Sequence, residues 1–211
     1  MKQWYYFTIL FAMWIMLSGE ITYGKEEIKI EYYPDGSIKA ELRYENGVLN
    51  GISRKYDEEG NLSEIEYRNG VRHGMSRHYF GSTTDHIRRE VMFEHDKANG
   101  PFREYYRNGT LKTEHQRIDG KPEGESKDYY ENGALFVVKN YKNGKIDGVA
   151  QMYYDTGELM KTMSFKNGIL DGQTTVRYKS QKIKEELMYK NGKCIKRRCF
   201  SEQGKRITCA D

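Results

Sequence analysis

Three cysteines, Cys194, Cys199 and Cys209, fall within the last 18 residues of a 211-residue chain. None has a partner at the C-x-x-C spacing of a structural zinc site. Their chemistry is therefore a disulfide, with three connectivities open and one thiol left over in each. The five histidines are His73, His78, His86, His95 and His115. Four crowd between residues 73 and 95, but their spacing fits no metal-ligand motif, so neither metal nor cofactor is expected. Glu41, Glu90, Glu114 and Glu186 recur in step with a repeat, which points to cross-strand pairing with Lys or Arg rather than to a catalytic pair. There is no phosphate-cradling glycine loop, no G-x-S-x-G elbow and no Cys–His nucleophile arrangement. No enzyme is expected.

Charge offers a second kind of chemistry. Lys193, Lys196, Arg197, Arg198, Lys205 and Arg206 crowd the carboxy-terminal end. From Val176 onward the chain carries 11 basic and four acidic groups, while residues 1–175 are mildly acidic. Such an end either docks on an anionic membrane surface or polysaccharide, or guards a terminal strand by repulsion. The whole chain is only +4, so no strong global field is implied, and nucleic acid is not an expected partner.

The elements that would position these groups are written in a repeat. The stretches "YYPDGSIKAELRYENGVLNG" at Tyr32 and "YYENGALFVVKNYKNGKIDG" at Tyr129 show its form. A first turn glycine recurs at Gly36, Gly60, Gly109, Gly133, Gly157 and Gly204, with degenerate repeats near Asp85 and Lys182. A second turn recurs as Asn-Gly or Asp-Gly, for example at Asn46-Gly47 and Asn167-Gly168, and a third glycine follows, as at Gly51 and Gly172. Asn-Gly between alternating residues is the strongest short-range hairpin signal, because both central positions of that turn need positive φ. Ile38, Ala40, Leu42 and Tyr44 alternate with charged residues, a period of two. The fold expected is all-β: an elongated antiparallel meander or solenoid of about eight repeats of roughly 24 residues, two strands each, on the order of 70 Å long. The recurring tyrosines read as an aromatic core on one face of this thin sheet, or else as a platform for sugar or peptide.

The amino terminus is of another kind. Lys2 is followed by "WYYFTILFAMWIMLSG", apolar and uncharged as far as Glu20. This is the pattern of a secretory signal peptide over 1–24, cut near Gly24, with an uncleaved anchor as the alternative. Export places the cysteines in an oxidising compartment.

The pattern Y-Y-x-x-G-x-[LI]-x-x-E-x-x-Y-x-N-G-x-x-x-G resembles the membrane occupation and recognition nexus (MORN) repeat, in the variant form of bacterial YwqK-type antitoxins. Tyr32, Tyr33, Gly36, Ile38, Glu41, Tyr44, Asn46, Gly47 and Gly51 carry the whole motif. The third repeat departs at "YFGSTTDHI" and Asp96, the fourth has Arg117 in place of the tyrosine, and the seventh lacks its first and third glycines. The resemblance covers about residues 30–207 and implies a non-enzymatic scaffold for protein or envelope components, over residues 25–211. The alternative it implies is an immunity protein that neutralises a partner toxin. A monomer is expected.

The last segment, 194–211, reads as a cap. A hairpin centred on Gln203-Gly204 would set Cys199 nearly opposite Thr208, one residue from Cys209. A bulge or wider loop would then let Cys199 bond Cys209 and leave Cys194 free.

Overall fold

A computed structural model describes residues 25–209, which form strands and turns only. The expected export segment over 1–24 lies outside the described residues. The chain divides after Lys97 into two compact units.

In the first unit the strands are β1 (Glu26–Tyr32), β2 (Ile38–Glu45), β3 (Val48–Leu49), β4 (Gly51–Tyr56), β5 (Leu62–Arg68), β6 (Val71–Arg72), β7 (Gly74–Tyr79) and β8 (Ile87–Glu94). Each long strand pairs antiparallel with the next along the chain, β1–β2–β4–β5–β7–β8. In the second unit the strands are β9 (Lys97–Tyr105), β10 (Leu111–Ile118), β11 (Lys121–Tyr129), β12 (Leu135–Lys142), β13 (Lys145–Ile146), β14 (Gly148–Tyr153), β15 (Leu159–Lys166), β16 (Ile169–Arg177), β17 (Ile183–Lys190), β18 (Lys193–Phe200) and β19 (Arg206–Ile207). They follow the same open meander from β9 to β19. The fold is all-β and antiparallel, as the alternation and the turns predict.

The Asn-Gly turns take the conformation their residues favour. Asn167 has φ of 51° and Gly168 of 83°, the left-handed pair a tight hairpin needs. In the third repeat His95 and Asp96 adopt the same positive φ without a glycine, and in the seventh Gln181 stands at φ 64° where a first-turn glycine is missing. The repeat geometry thus persists where its sequence has decayed. The third glycine has a separate task. It sits at φ near +100°, as in Gly148 (98°) and Gly172 (113°), at the point where three of the second strands break into a two-residue piece and a longer one. Where φ exceeds about 100°, as at Gly172, only glycine holds that kink without strain.

The core differs from the aromatic ladder expected. Most of the deepest side chains are small: Ser53, Ser76, Ser126, Ala150 and Thr174 are each no more than 2% exposed, and Leu62 is the one large residue as deep among the described residues. Of the tyrosines among the described residues only Tyr79 is buried. A single layer leaves little depth at its centre, so small residues fill the midline and large rings lie toward the strand ends.

The second tyrosine of each pair is a fastener between repeats. Tyr33, Tyr106, Tyr130, Tyr154 and Tyr178 each donate a hydroxyl hydrogen bond of 2.7–2.9 Å to a backbone carbonyl at the same place in the next repeat, on Tyr56, Tyr129, Tyr153, Arg177 and Phe200. Asp57 and Phe80 occupy this place in the second and third repeats and have no phenol hydroxyl to give. Tyr130→Phe keeps the ring and removes the bond, and is expected to cost about 1 kcal/mol in chemical denaturation. An unchanged midpoint would show that water replaces the hydroxyl at no cost.

Candidate functional site

Residues that lie opposite each other across a strand pair share a face, so the registers sort the polar side chains onto two sides of the sheet. One side carries the recurring glutamates. Arg54 lies 3.1 Å from Glu64 and 4.0 Å from Glu41, Arg77 3.1 Å from Glu90, Arg103 4.0 Å from Glu114, and Arg198 2.8 Å from Glu186. Tyr79 and Tyr129 donate their hydroxyls to Glu64 and Glu114 at 2.9 and 2.7 Å. Burial first, and those hydrogen bonds next, push both phenols up to about 12. These carboxylates are held as cross-strand partners, the structural role their recurrence predicts.

The opposite side is where the pattern fails. Its midline pairs Ser53 with Ile65, Ser76 with Val91, Ala150 with Met163 and Thr174 with Leu187. At the same place β10 has His115, between Phe102 and Ser126, and β12 has Lys139, opposite Ser126. Beside them Thr113 lies opposite Asp128, and Arg117 stands where other repeats have a ring. Positions that are aliphatic or aromatic in the other repeats thus hold His115, Lys139 and Arg117, and Asp128 lies beside them where the following repeat has Met152.

These groups form one constellation. The Lys139 ammonium lies 2.5 Å from Asp128, with side chains only 20% and 26% exposed. Thr113 donates its hydroxyl to the other Asp128 oxygen at 2.5 Å. The His115 ring stacks on Phe102 with centroids 4.6 Å apart and stands 6.5 Å from Tyr141. Arg117 lies over the Phe102 ring at 4.4 Å, and its Nε donates to His115 Nε2 at 3.3 Å. Burial, then the Arg117 charge, lowers the His115 pKa, with the Lys139 charge acting in the same sense. An imidazole, a ring edge, a hydroxyl and a paired charge are the kinds of groups that can read a partner's polar surface. The Asp128 carboxylate is engaged by Lys139 and Thr113.

A sequence model for the MORN repeat variant matches residues 28–46, 49–69, 98–119, 122–143 and 146–167, just over half of the chain. The chain belongs to the MORN repeat variant family. No curated protein sequence matches it. MORN repeats are generally modules that bind proteins or membranes. The third repeat and the last two lie outside the match; the third has Asp96 in place of a turn glycine and the seventh lacks its first and third glycines. The constellation on β10–β12 lies within MORN repeats that do match, so it is a change of side chains on an intact frame.

The residues singled out at the carboxy-terminal end of the MORN array are also placed. A disulfide joins Cys199 and Cys209, with Cα atoms 5.3 Å apart, and Cys194 is free and exposed. Cys199 lies opposite Ile207 rather than Thr208. The hairpin is one residue tighter than its sequence suggests, so Cys209 lies two residues past the partner of Cys199, on the same side, and no bulge is needed. Arg197 and Arg198 pair with Glu185 and Glu186 of β17. Lys193, Lys196, Lys205 and Arg206 are exposed and take part in no salt bridge among the described residues. Among the described residues no three His, Cys, Asp or Glu side chains converge as a metal site. Sequence reasoning missed the Asp128–Lys139 pair. Its signal was present as a lysine and a histidine on the alternating positions that are apolar in the neighbouring repeats.

His78 supplies a pH test. Its ring bonds Ser63 Oγ at 2.8 Å. Burial, with Arg89 and Arg88 adding, depresses its pKa from 6.5 to about 4. The fold therefore holds His78 neutral while the unfolded chain takes up a proton below 6.5, so this contribution to stability fades as pH falls from about 6.5 toward 4. Thermal midpoints across that window should fall less steeply in His78→Gln than in the wild type. Parallel curves would remove His78 from the account.

Proposed function

We propose that this chain is an exported, non-catalytic scaffold that holds a protein or cell-envelope component against the face of β10–β12. The observation that carries the reading is the clustering of the half-buried Asp128–Lys139 pair with His115 and Arg117 on the adjoining strands β10–β12. A half-buried ion pair returns little stability for its desolvation, so packing alone is a weak account of it. The apolar amino-terminal segment supports export, and the family supports binding. A toxin neutralised by the chain would be one such protein partner, and protection on co-expression is its separate test.

The direct test uses the immobilised chain and an envelope extract of the producing cell. The double variant Asp128→Val/Lys139→Met restores the apolar pattern of neighbouring repeats while keeping the frame. Partners retained by the wild type and lost by this variant support the reading. Equal capture by both, or no capture above a blank surface, overturns it.

A further inference from the structure

The chain contains nine Asn-Gly pairs, the sequence most prone to lose ammonia from the asparagine side chain. The structure does not leave them equally open. In the hairpin turns the amide after the asparagine is tied back to the preceding turn. Gly70 donates to Leu49 O, Gly144 to Pro122 O, Gly168 to Ile146 O and Gly192 to Leu170 O, at 2.7–3.1 Å. The asparagine amides are tied as well: Asn143, Asn167 and Asn191 donate to carboxylates of Glu123, Asp147 and Asp171. Each turn therefore locks the next.

Asn46-Gly47 is the first such turn among the described residues. The Gly47 N–H makes no hydrogen bond among the described residues, and the Asn46 side chain is held only through its Oδ1, which accepts from Lys25 N–H at 3.1 Å. By contrast the Asn50 side chain is engaged at both ends, by Glu45 and by the Asn69 N–H. The Asn108 amide is likewise spanned by Thr110 and Glu131.

We propose that Asn46 is the chain's principal site of spontaneous deamidation, because among the described residues Gly47 alone of these hairpin turns offers an untethered nucleophilic amide, the Asn46 N–H itself being held by Lys25 O at 3.0 Å. Gly47 N loses its proton and attacks Asn46 Cγ. The Cγ–Nδ2 bond breaks, ammonia leaves, and a cyclic imide joins the two residues. Water then opens the ring at either carbonyl, giving aspartate or isoaspartate. One water is consumed, one ammonia released, and nothing is oxidised or reduced. The product adds a carboxylate beside Glu45, and in the isoaspartyl form an extra backbone carbon, in a turn that requires φ of 50° and 79°. The change therefore loosens the β2–β3 hairpin, whose Glu45 and Val48 flank this turn.

The experiment holds the full chain at mildly alkaline pH and follows each Asn-Gly peptide by mapping that separates isoaspartyl from aspartyl forms. Asn46 is expected to convert about fivefold to tenfold faster than Asn143, Asn167 or Asn191, the factor that one hydrogen bond on the opening equilibrium provides. The same incubation in denaturant should erase that order. Equal rates in the folded chain, a slower Asn46, or an order that survives denaturant would each overturn the proposal.

Discussion

Asp128→Ala lowers the free energy of unfolding by about 2–3 kcal/mol, whereas Asp128→Val/Lys139→Met stays within about 1 kcal/mol of the wild type. The single change leaves an ammonium only 20% exposed without its carboxylate, and it leaves the Thr113 hydroxyl without an acceptor. Partial exposure keeps the loss below that of a fully buried pair. The double change removes both charges and supplies side chains like those already at the equivalent positions, where Met152 faces Val137 and Met163 faces Ala150. Urea unfolding of the three proteins measures both values. If Asp128→Ala cost less than about 0.5 kcal/mol, water would be screening the pair and its retention would need no explanation.

Gly172→Ala is expected to cost a similar amount, about 2–3 kcal/mol, for a backbone reason. Its φ of 113° lies where L side chains rarely go, and an added Cβ would stand 3.0 Å from Ser164 Cβ, an atom fixed to its own strand. Gly124 is the internal control. It holds the equivalent kink at φ 73° with nothing within 4 Å of a built Cβ, a conformation asparagine tolerates. Gly124→Asn should lose less than about 1 kcal/mol in the same titration. Equal losses at the two sites would mean that conformation, and not the Ser164 contact, sets the cost.

The turns, the period and the pairing of glutamates with arginines are legible in the sequence because each depends on residues close along the chain or one repeat apart. The facing of side chains is less so. Where the first tyrosine of a pair meets the ladder, as between Asp128 and Tyr129, the register shifts by one, and alternation read from one strand no longer predicts the next. The buried midline of Ser53, Ser76, Ser126 and Thr174 was hidden as well: small polar residues carry no hydrophobic signal. The recognition constellation was half visible. Arg117 stood out as a departure from the motif, but its neighbours Asp128 and Lys139 meet only once β10, β11 and β12 are in register.

The tyrosine fasteners set a rule on how this chain can change length. Tyr33, Tyr106, Tyr130 and Tyr154 each reach a carbonyl 23 residues on, and the turn amides reach back by a similar stride. Adding or deleting a few residues inside a repeat displaces every such donor from its acceptor at that junction. Adding or deleting a complete repeat displaces none. Natural variants of the array should therefore differ in size by whole periods, as a ladder is lengthened by rungs.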